Sequence, residues 1–264
     1  MEYVQIGKLK VSRYILGTNQ FSGFSHWSVE KDLEMKRYYT MDKIKKTLRE
    51  AEALGINTMI GRTDNYVLRV LLEYYDEGGK IQWFGQTCSE FASHSTSINN
   101  AASGGAKACQ IHGGVMDYIL AQNKTAEVQP AIDLIRKKGM LAGIAGHNPK
   151  VFEWAEKNLD VDYYMCCYYN PTNRSNNANH VHGSEEVFDN KDRDIMTKLI
   201  KTLSKPVIHY KIMGAGRNNP EEAFQFAAKC MRNNDTACIG VYTKEDPNMI
   251  KKGVDLLLSN LKNK

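Results

Sequence analysis

The chain has 264 residues, of which 42% are apolar and 25% charged, with a formal net charge of +5. This is the composition of an ordinary globular protein, and it is long enough for one large core. The Lys-rich stretches at 43–46, 136–138 and 250–252 fall on predicted helices, where a solvated face accounts for them, so no nucleic-acid partner is expected. No apolar run reaches the roughly 18 residues of a membrane span, and the Met-Glu-Tyr-Val-Gln start lacks the basic and apolar segments of a signal peptide, so no membrane partner and a cytoplasmic location are expected.

In chain order, apolar segments rich in β-branched and aromatic residues are predicted as strands at 14–18, 56–61, 81–87, 107–112, 141–146, 162–169, 206–213 and 236–242. Amphipathic helical patterns separate them. The first opens after Thr40 as N-cap, carries Ile44, Leu48 and Ala51, and stops at Gly55. Another has Pro130 in its first turn and runs through Ile132 and Ile135 to Gly139. A third opens with Pro220, Glu221 and Glu222, which suits a proline's missing amide and the helix dipole. The last opens at Pro247 and continues Ile250, Val254, Leu257, Leu261. Eight strand–helix units without a break in composition predict an α/β fold, a single (β/α)₈ TIM barrel spanning 1–264 as one domain.

Two connections exceed the usual few residues. Residues 19–39 include Phe-Ser-Gly-Phe-Ser-His26-Trp27, and residues 170–188 include Arg174, His180 and His182. Both follow strand C-termini, the catalytic side of such a barrel, and are candidate lids or substrate walls. The six cysteines include no CxxC pair and read as reduced core residues.

The segment Ile-Gly-Lys-Leu-Lys-Val-Ser-Arg-Tyr-Ile-Leu-Gly-Thr resembles the first hairpin and strand of the aldo/keto reductase family. Ala51-Glu-Ala-Leu-Gly-Ile-Asn-Thr58 resembles the end of its first helix and its second strand, and Gln110-Ile-His112 the strand that carries its catalytic histidine. The resemblance implies a TIM barrel, NADPH binding and carbonyl reduction by an Asp-Tyr-Lys-His tetrad. Of that tetrad His112 matches and Tyr66 matches with a one-residue offset. The aspartate is displaced to Asp64, and Gln86-Thr87 stands where the lysine belongs. The chain resembles a divergent branch of the family, closer in scaffold than in chemistry.

Three predicted strands deliver a histidine at their ends: Ala-Cys-Gln-Ile-His112-Gly, Ala-Gly-Ile-Ala-Gly-His147-Asn and Pro-Val-Ile-His209-Tyr-Lys211. Titratable groups at the ends of apolar strands cost burial energy unless paired. Alternation places His209 and Lys211 on one face and Ile208, Tyr210 and Ile212 on the other, which suits helix packing, so His209 and Lys211 are expected inside. In the sixth strand either Cys166 and Tyr168 or Cys167 and Tyr169 point inward. His112, His147 and His209 are candidate acids, bases or ligands of Zn²⁺ or Mn²⁺, with Glu90 or Asp64 as a further ligand. The His180-x-His182 pair has a spacing that could grip a metal, or it lies in a solvated loop. Lys211 is a candidate for carbonyl activation, as a bound cation or a Schiff base.

Gly214, Gly216 and Arg217 after the seventh strand, and Thr243 and Lys244 after the eighth, form a candidate phosphate or cofactor site at helix starts. A polar rim of Arg62, Asp64, Tyr66 and Asn148, with Phe21, Phe24, Trp27 and Trp83 as stacking or core residues, suits a polyhydroxylated small molecule. The expected function is an enzyme on a sugar-like carbonyl or hydroxyl substrate. It would work by proton transfer of isomerase, epimerase or lyase type, with His112, His147, His209, Lys211 and Tyr66 as candidate catalytic residues. The alternatives are an NADPH-dependent reductase with an altered tetrad and a barrel that only binds a ligand.

Overall fold

A computed structural model describes all of residues 1–264. An antiparallel hairpin, β1 (Tyr3–Ile6) and β2 (Leu9–Ser12), leads into eight parallel strands. These are β3 (Tyr14–Gly17), β4 (Thr58–Arg62), β5 (Gln82–Gln86), β6 (Ala108–Ile111), β7 (Leu141–Gly146), β8 (Tyr163–Cys167), β9 (Val207–Tyr210) and β10 (Thr236–Gly240). They pair in sequence order, and β10 pairs with β3 to close the barrel. The (β/α)₈ barrel expected from sequence is the observed fold, and each barrel strand lies inside its predicted segment except β4, which runs one residue further, to Arg62.

Ten α-helices accompany the strands: α1 (Val29–Tyr38), α2 (Met41–Ala53), α3 (Asn65–Asp76), α4 (His94–Ser103), α5 (Gly113–Ala121), α6 (Val128–Lys137), α7 (Pro149–Asn158), α8 (Asn190–Ile200), α9 (Pro220–Cys230) and α10 (Met249–Lys262). Their starts follow ordinary capping chemistry: Thr40 accepts from the Lys43 amide at α2, and Asn219 precedes Pro220 at α9. One predicted long connection, 19–39, contains α1, which the sequence pattern did not announce. Only one apolar side chain of α1, Met35, is buried, so its stripe is faint; Ser28 as N-cap and the pairing of Glu30 and Asp32 with its N-terminus sustain it.

The strands sort their side chains into two apolar layers. Ile15, Ile60, Phe84, Ala108, Tyr163, Met165 and Ile208 fill the barrel, with Ile6 and Val11 of the hairpin buried in the same cluster. Tyr14, Leu16, Met59, Trp83, Cys109, Ile111, Ile144 and Tyr164 pack in the layer shared with the helices. Gly143 leaves room inside the barrel that Tyr163 fills, since a Cβ there would lie 2.4 Å from the Tyr163 ring. The Tyr163 hydroxyl donates to Gln110 Oε1 at 2.6 Å, satisfying a buried amide inside the barrel.

The same sorting overturns one expectation. In β9 the residues that share the barrel interior are Ile208 and Tyr210, while His209 points outward. Both faces of a barrel strand are apolar, so alternation alone does not say which is inside. His209 is fully buried between Asp235 Oδ2 at 3.2 Å and the Tyr168 hydroxyl at 3.0 Å. Burial pushes its pKa down, with Asp235 pulling the other way. Burial alone would raise the Asp235 carboxyl, but hydrogen bonds from His209 and Arg232 hold it well below the usual range. His209 is therefore tied into the strand–helix layer, away from the cavity.

Candidate active site

At the C-terminal ends of the strands lies a cavity of about 930 Å³. Its floor includes His112, His147, Tyr210 and Lys211, and its walls come from the connections after β3, β8, β9 and β10. His112 ends β6 and begins α5, and its amide donates to Thr87 Oγ1 at 3.0 Å. Its Nδ1 has no protein partner although it is buried. Burial pushes His112 well below the ordinary histidine pKa, and His147, Arg174, Arg62 and Lys211 add to the shift. Several cationic side chains thus surround an uncharged imidazole.

His147 is organised differently. Its Nδ1 lies 2.7 Å from Asp117 Oδ2, and its Nε2 lies 3.3 Å from the Tyr210 hydroxyl. Asp117 Oδ1 also accepts the His147 and Asn148 amides, at 3.1 and 3.0 Å. Asp117 is the only charged residue of α5, whose other side chains are mostly apolar and buried. Burial lowers the His147 pKa against the pull of Asp117, so the ring is neutral near pH 7. With Asp117 accepting from Nδ1–H, Nε2 is left as an acceptor for Tyr210, whose hydroxyl lies 3.3 Å from both Nε2 and the Gly146 carbonyl. Burial raises Tyr210 well above its ordinary pKa, with Cys167 and Asp117 adding to the shift, which keeps it a phenol. A Cβ on Gly113 would lie 2.9 Å from the Tyr210 oxygen, so this helix start needs glycine for the phenol to approach.

Two further cations face the site without a carboxylate partner. Arg174 is 7% exposed and donates from Nη1 to the Asn179 carbonyl at 2.9 Å. Lys211 stands over the Phe188 ring at 5.9 Å, and burial lowers its pKa while Cys167 and Glu186 oppose the shift. Arg62, by contrast, is neutralised by Asp64 at 2.7 Å and by Glu90. Lys211 has φ +55°, His26 φ +63° and Ala215 φ +55°, and all three line the cavity. Left-handed backbone at non-glycine residues costs energy and concentrates at functional sites.

The long connections close the cavity from above. Trp27 Nε1 donates to the Ala215 carbonyl at 2.8 Å, and Arg217 lies between the Trp27 and Phe188 rings at 4.3 and 4.4 Å. Arg217 Nη2 also donates to the His26 carbonyl at 2.8 Å. Three side chains meet beside this contact. His26 Nδ1 lies 2.8 Å from Glu186 Oε2, and His180 Nδ1 lies 3.8 Å from Glu186 Oε1. Burial and Lys211 push His26 down to about 3 against Glu186, and burial brings His180 down to about 4. Burial alone would raise Glu186, but His26, Lys211 and His180 hold it at about 2.

Of the residues singled out from sequence, the cavity brings together His112, His147 and Lys211, with Gly216 at its rim. His209 is elsewhere, so His112, His147 and His209 do not converge and form no metal site. Both ring nitrogens of His147 are engaged as well. Tyr66 is 41% exposed on α3 and donates to the Tyr39 carbonyl at 3.1 Å, outside the cavity. Asp64 caps α3. Phe21 and Trp83 are core, whereas Phe24 and Trp27 line the cavity. Asp117, Tyr210 and Glu186 are the residues that sequence reasoning missed, while His26 lines the cavity from the connection read as a candidate lid or substrate wall. A lone aspartate in an apolar helix was the one available signal, for Asp117.

Three residues of the expected cofactor cradle bind other parts of the chain. Thr243 Oγ1 lies 3.0 Å from the Tyr38 hydroxyl, and Lys244 pairs with Glu34 of α1 at 3.0 Å. Arg217 is spent on two rings and two carbonyls, the second being that of Gly214. Thr243, Lys244 and Arg217 are thus engaged by other parts of the chain, whereas Gly216 lines the cavity with open space beside it.

Among known proteins, no family model and no curated sequence matches the chain. Solved structures do. PA4992 of Pseudomonas aeruginosa, provisionally described as an aldo-keto reductase, superposes with a TM-score of 0.67 at 15% identity, covering 98% of this chain and 96% of that one. The aldo-keto reductase AKR11C1 of Bacillus halodurans, in its holo form, gives 0.64 at 13% identity, covering 100% and 96%. A truncated 3-deoxy-D-arabino-heptulosonate 7-phosphate synthase of Thermotoga maritima gives 0.55 at 12% identity, covering 99% and 91%. The likeness is one of fold: the chain has the barrel of the aldo-keto reductases, and the same barrel serves a different chemistry in the synthase.

Proposed function

We propose that this protein is an enzyme that interconverts hydroxyl and carbonyl groups on a small, anionic, polyhydroxylated molecule. The observation that carries this reading is the line Asp117–His147–Tyr210, at 2.7 and 3.3 Å, ending in a cavity that also holds Arg174 and Lys211. In the hydroxyl-to-carbonyl direction the substrate O–H proton passes to the Tyr210 oxygen as the phenol proton moves to His147 Nε2. Asp117 then stabilises the imidazolium, and the reverse sequence protonates a carbonyl oxygen. Arg174 and Lys211 supply the charge that draws and orients a carboxylate or phosphate of the substrate. His112, with Nδ1 free, donates to or accepts from a neighbouring hydroxyl. The free cysteines are consistent with a reducing, cytoplasmic setting.

Two overall reactions share this acid–base step and differ in how the hydrogen on carbon leaves. Oxidoreduction is favoured by the fold likeness to aldo-keto reductases and by a cavity roomier than a small sugar needs. Isomerisation within one substrate is the second reading, favoured by the engagement of Thr243 and Lys244 with α1. Fluorescence titration with NADPH, followed by assays on a panel of sugar acids and phosphosugars with and without it, separates them. Micromolar NADPH binding and NADPH-dependent turnover establish the reductase. Turnover without NADPH establishes the isomerase. If Tyr210→Phe turns over the identified substrate as fast as the wild type, the proposed proton path is wrong.

A further inference from the structure

We propose that His26, His180 and Glu186 form a binding site for a divalent transition-metal cation of the zinc class, clasping the connections after β3 and β8 over the cavity. This goes beyond the acid–base reading above and does not rest on it. One ligand atom from each residue lies within 4.8 Å of the others. For tetrahedral zinc with nitrogen and oxygen ligands at about 2.0–2.2 Å, neighbouring donors are about 3.3–3.6 Å apart, so shifts of about 1 Å complete the site.

Four buried polar atoms of these residues are unsatisfied, while Glu186 Oε1 accepts from Thr172 Oγ1 at 3.4 Å. His26 Nδ1 and Nε2, His180 Nδ1 and Glu186 Oε2 all lack a hydrogen-bond partner, although the side chains of His26, His180 and Glu186 are only 9%, 10% and 1% exposed. His26 Nδ1 and Glu186 Oε2 are 2.8 Å apart yet are not aligned as donor and acceptor. Unpartnered buried polar groups are costly, and a cation shared by the three removes the cost at once.

The surroundings hold the ligands in place. The left-handed backbone of His26 is pinned by Arg217, and the His180 ring packs edge-on against His26 at 4.9 Å and His182 at 5.0 Å. His182 is itself fixed by Asp32 at 2.5 Å. Lys211 lies close enough to oppose a cation, and the carboxylate of Glu186 offsets it. Two imidazoles and one carboxylate suit Zn²⁺, Fe²⁺ or Mn²⁺ and leave coordination positions free. His26 and His180 line the cavity that holds Tyr210, so a free position would face a bound substrate.

The test is calorimetric titration of chelator-treated, full-length protein with Zn²⁺, supported by elemental analysis of the protein as purified. The expected result is one Zn²⁺ per chain, with affinity reduced at least 100-fold in His26→Ala, His180→Ala and Glu186→Gln and kept in His112→Ala. Circular dichroism identifies any variant that fails to fold, and the remaining two then decide. The proposal is overturned if the wild type binds no stoichiometric Zn²⁺, or if the loop variants bind as tightly as it does. Loss in His112→Ala with retention in His26→Ala would also overturn it, by moving the ion to the strand ends.

Discussion

Tyr210 and Lys211 are adjacent in the chain but differ in what holds them. Tyr210 ends a regular strand with its phenol directed at His147, whereas Lys211 leaves the strand in a left-handed conformation. Replacing Tyr210 with Phe removes the proton carrier and nothing of the ring's packing. Turnover is expected to fall by about 10²–10⁴, with a stability loss of about 1–2 kcal/mol from the phenol's hydrogen bonds to His147 and Gly146, read from kinetics and thermal melts together. Lys211→Gly behaves in the opposite way. Glycine accepts φ +55° freely, so the variant is expected to be about 1 kcal/mol more stable while losing affinity for anionic ligands. A lower melting temperature in Lys211→Gly would show that the strain relieved is smaller than the side-chain packing and chain entropy lost.

Elements decide which of these side chains reach the cavity. The outward turn of His209 makes β9 and the Asp235 segment one buried polar unit, since Asp235 also accepts the Val207 amide at 2.9 Å. Asp235→Ala strips the partner from His209, Arg232 and that amide together. Its expected cost is about 3–5 kcal/mol in denaturant unfolding, with the cavity left intact in any fraction that folds. Helix α1 is the other deciding element. Ser28 accepts the Lys31 amide at its start, and Glu34 on its surface engages Lys244. Ser28→Ala is expected to cost about 1 kcal/mol. If the pairing with Glu34 is what withholds Lys244 from a dinucleotide phosphate, Glu34→Ala should strengthen NADPH binding; unchanged binding would show that the pairing does not matter.

Across the molecule, buried neutral histidines link stability to pH. His112, His147 and His209 are all lowered from 6.5, chiefly by burial. The unfolded chain therefore binds more protons than the native one below about pH 6.5. Stability from these groups is complete above that pH and is lost as pH falls towards their folded values, at about 1.4 kcal/mol per pH unit for each titrating group. Urea melts between pH 7.5 and 5 should show this loss. A flat profile would mean that the three rings charge as readily in the fold as in water.

The eight repeats, the cap at Thr40, the helix start at Pro220, the barrel and the histidines at the ends of β6 and β7 were legible in the sequence, because they rest on local periodicity, capping and chain order. His112, His147 and Lys211 could be found for that reason. What the sequence did not contain was the rotational setting of β9, where both faces are apolar and one residue's shift exchanges His209 for Tyr210. Nor did it show that Asp117 backs His147 across 30 positions, or that residues 26, 180 and 186 meet. Those pairings join separate connections, and only closure of the barrel and packing of its long loops bring them within bonding distance.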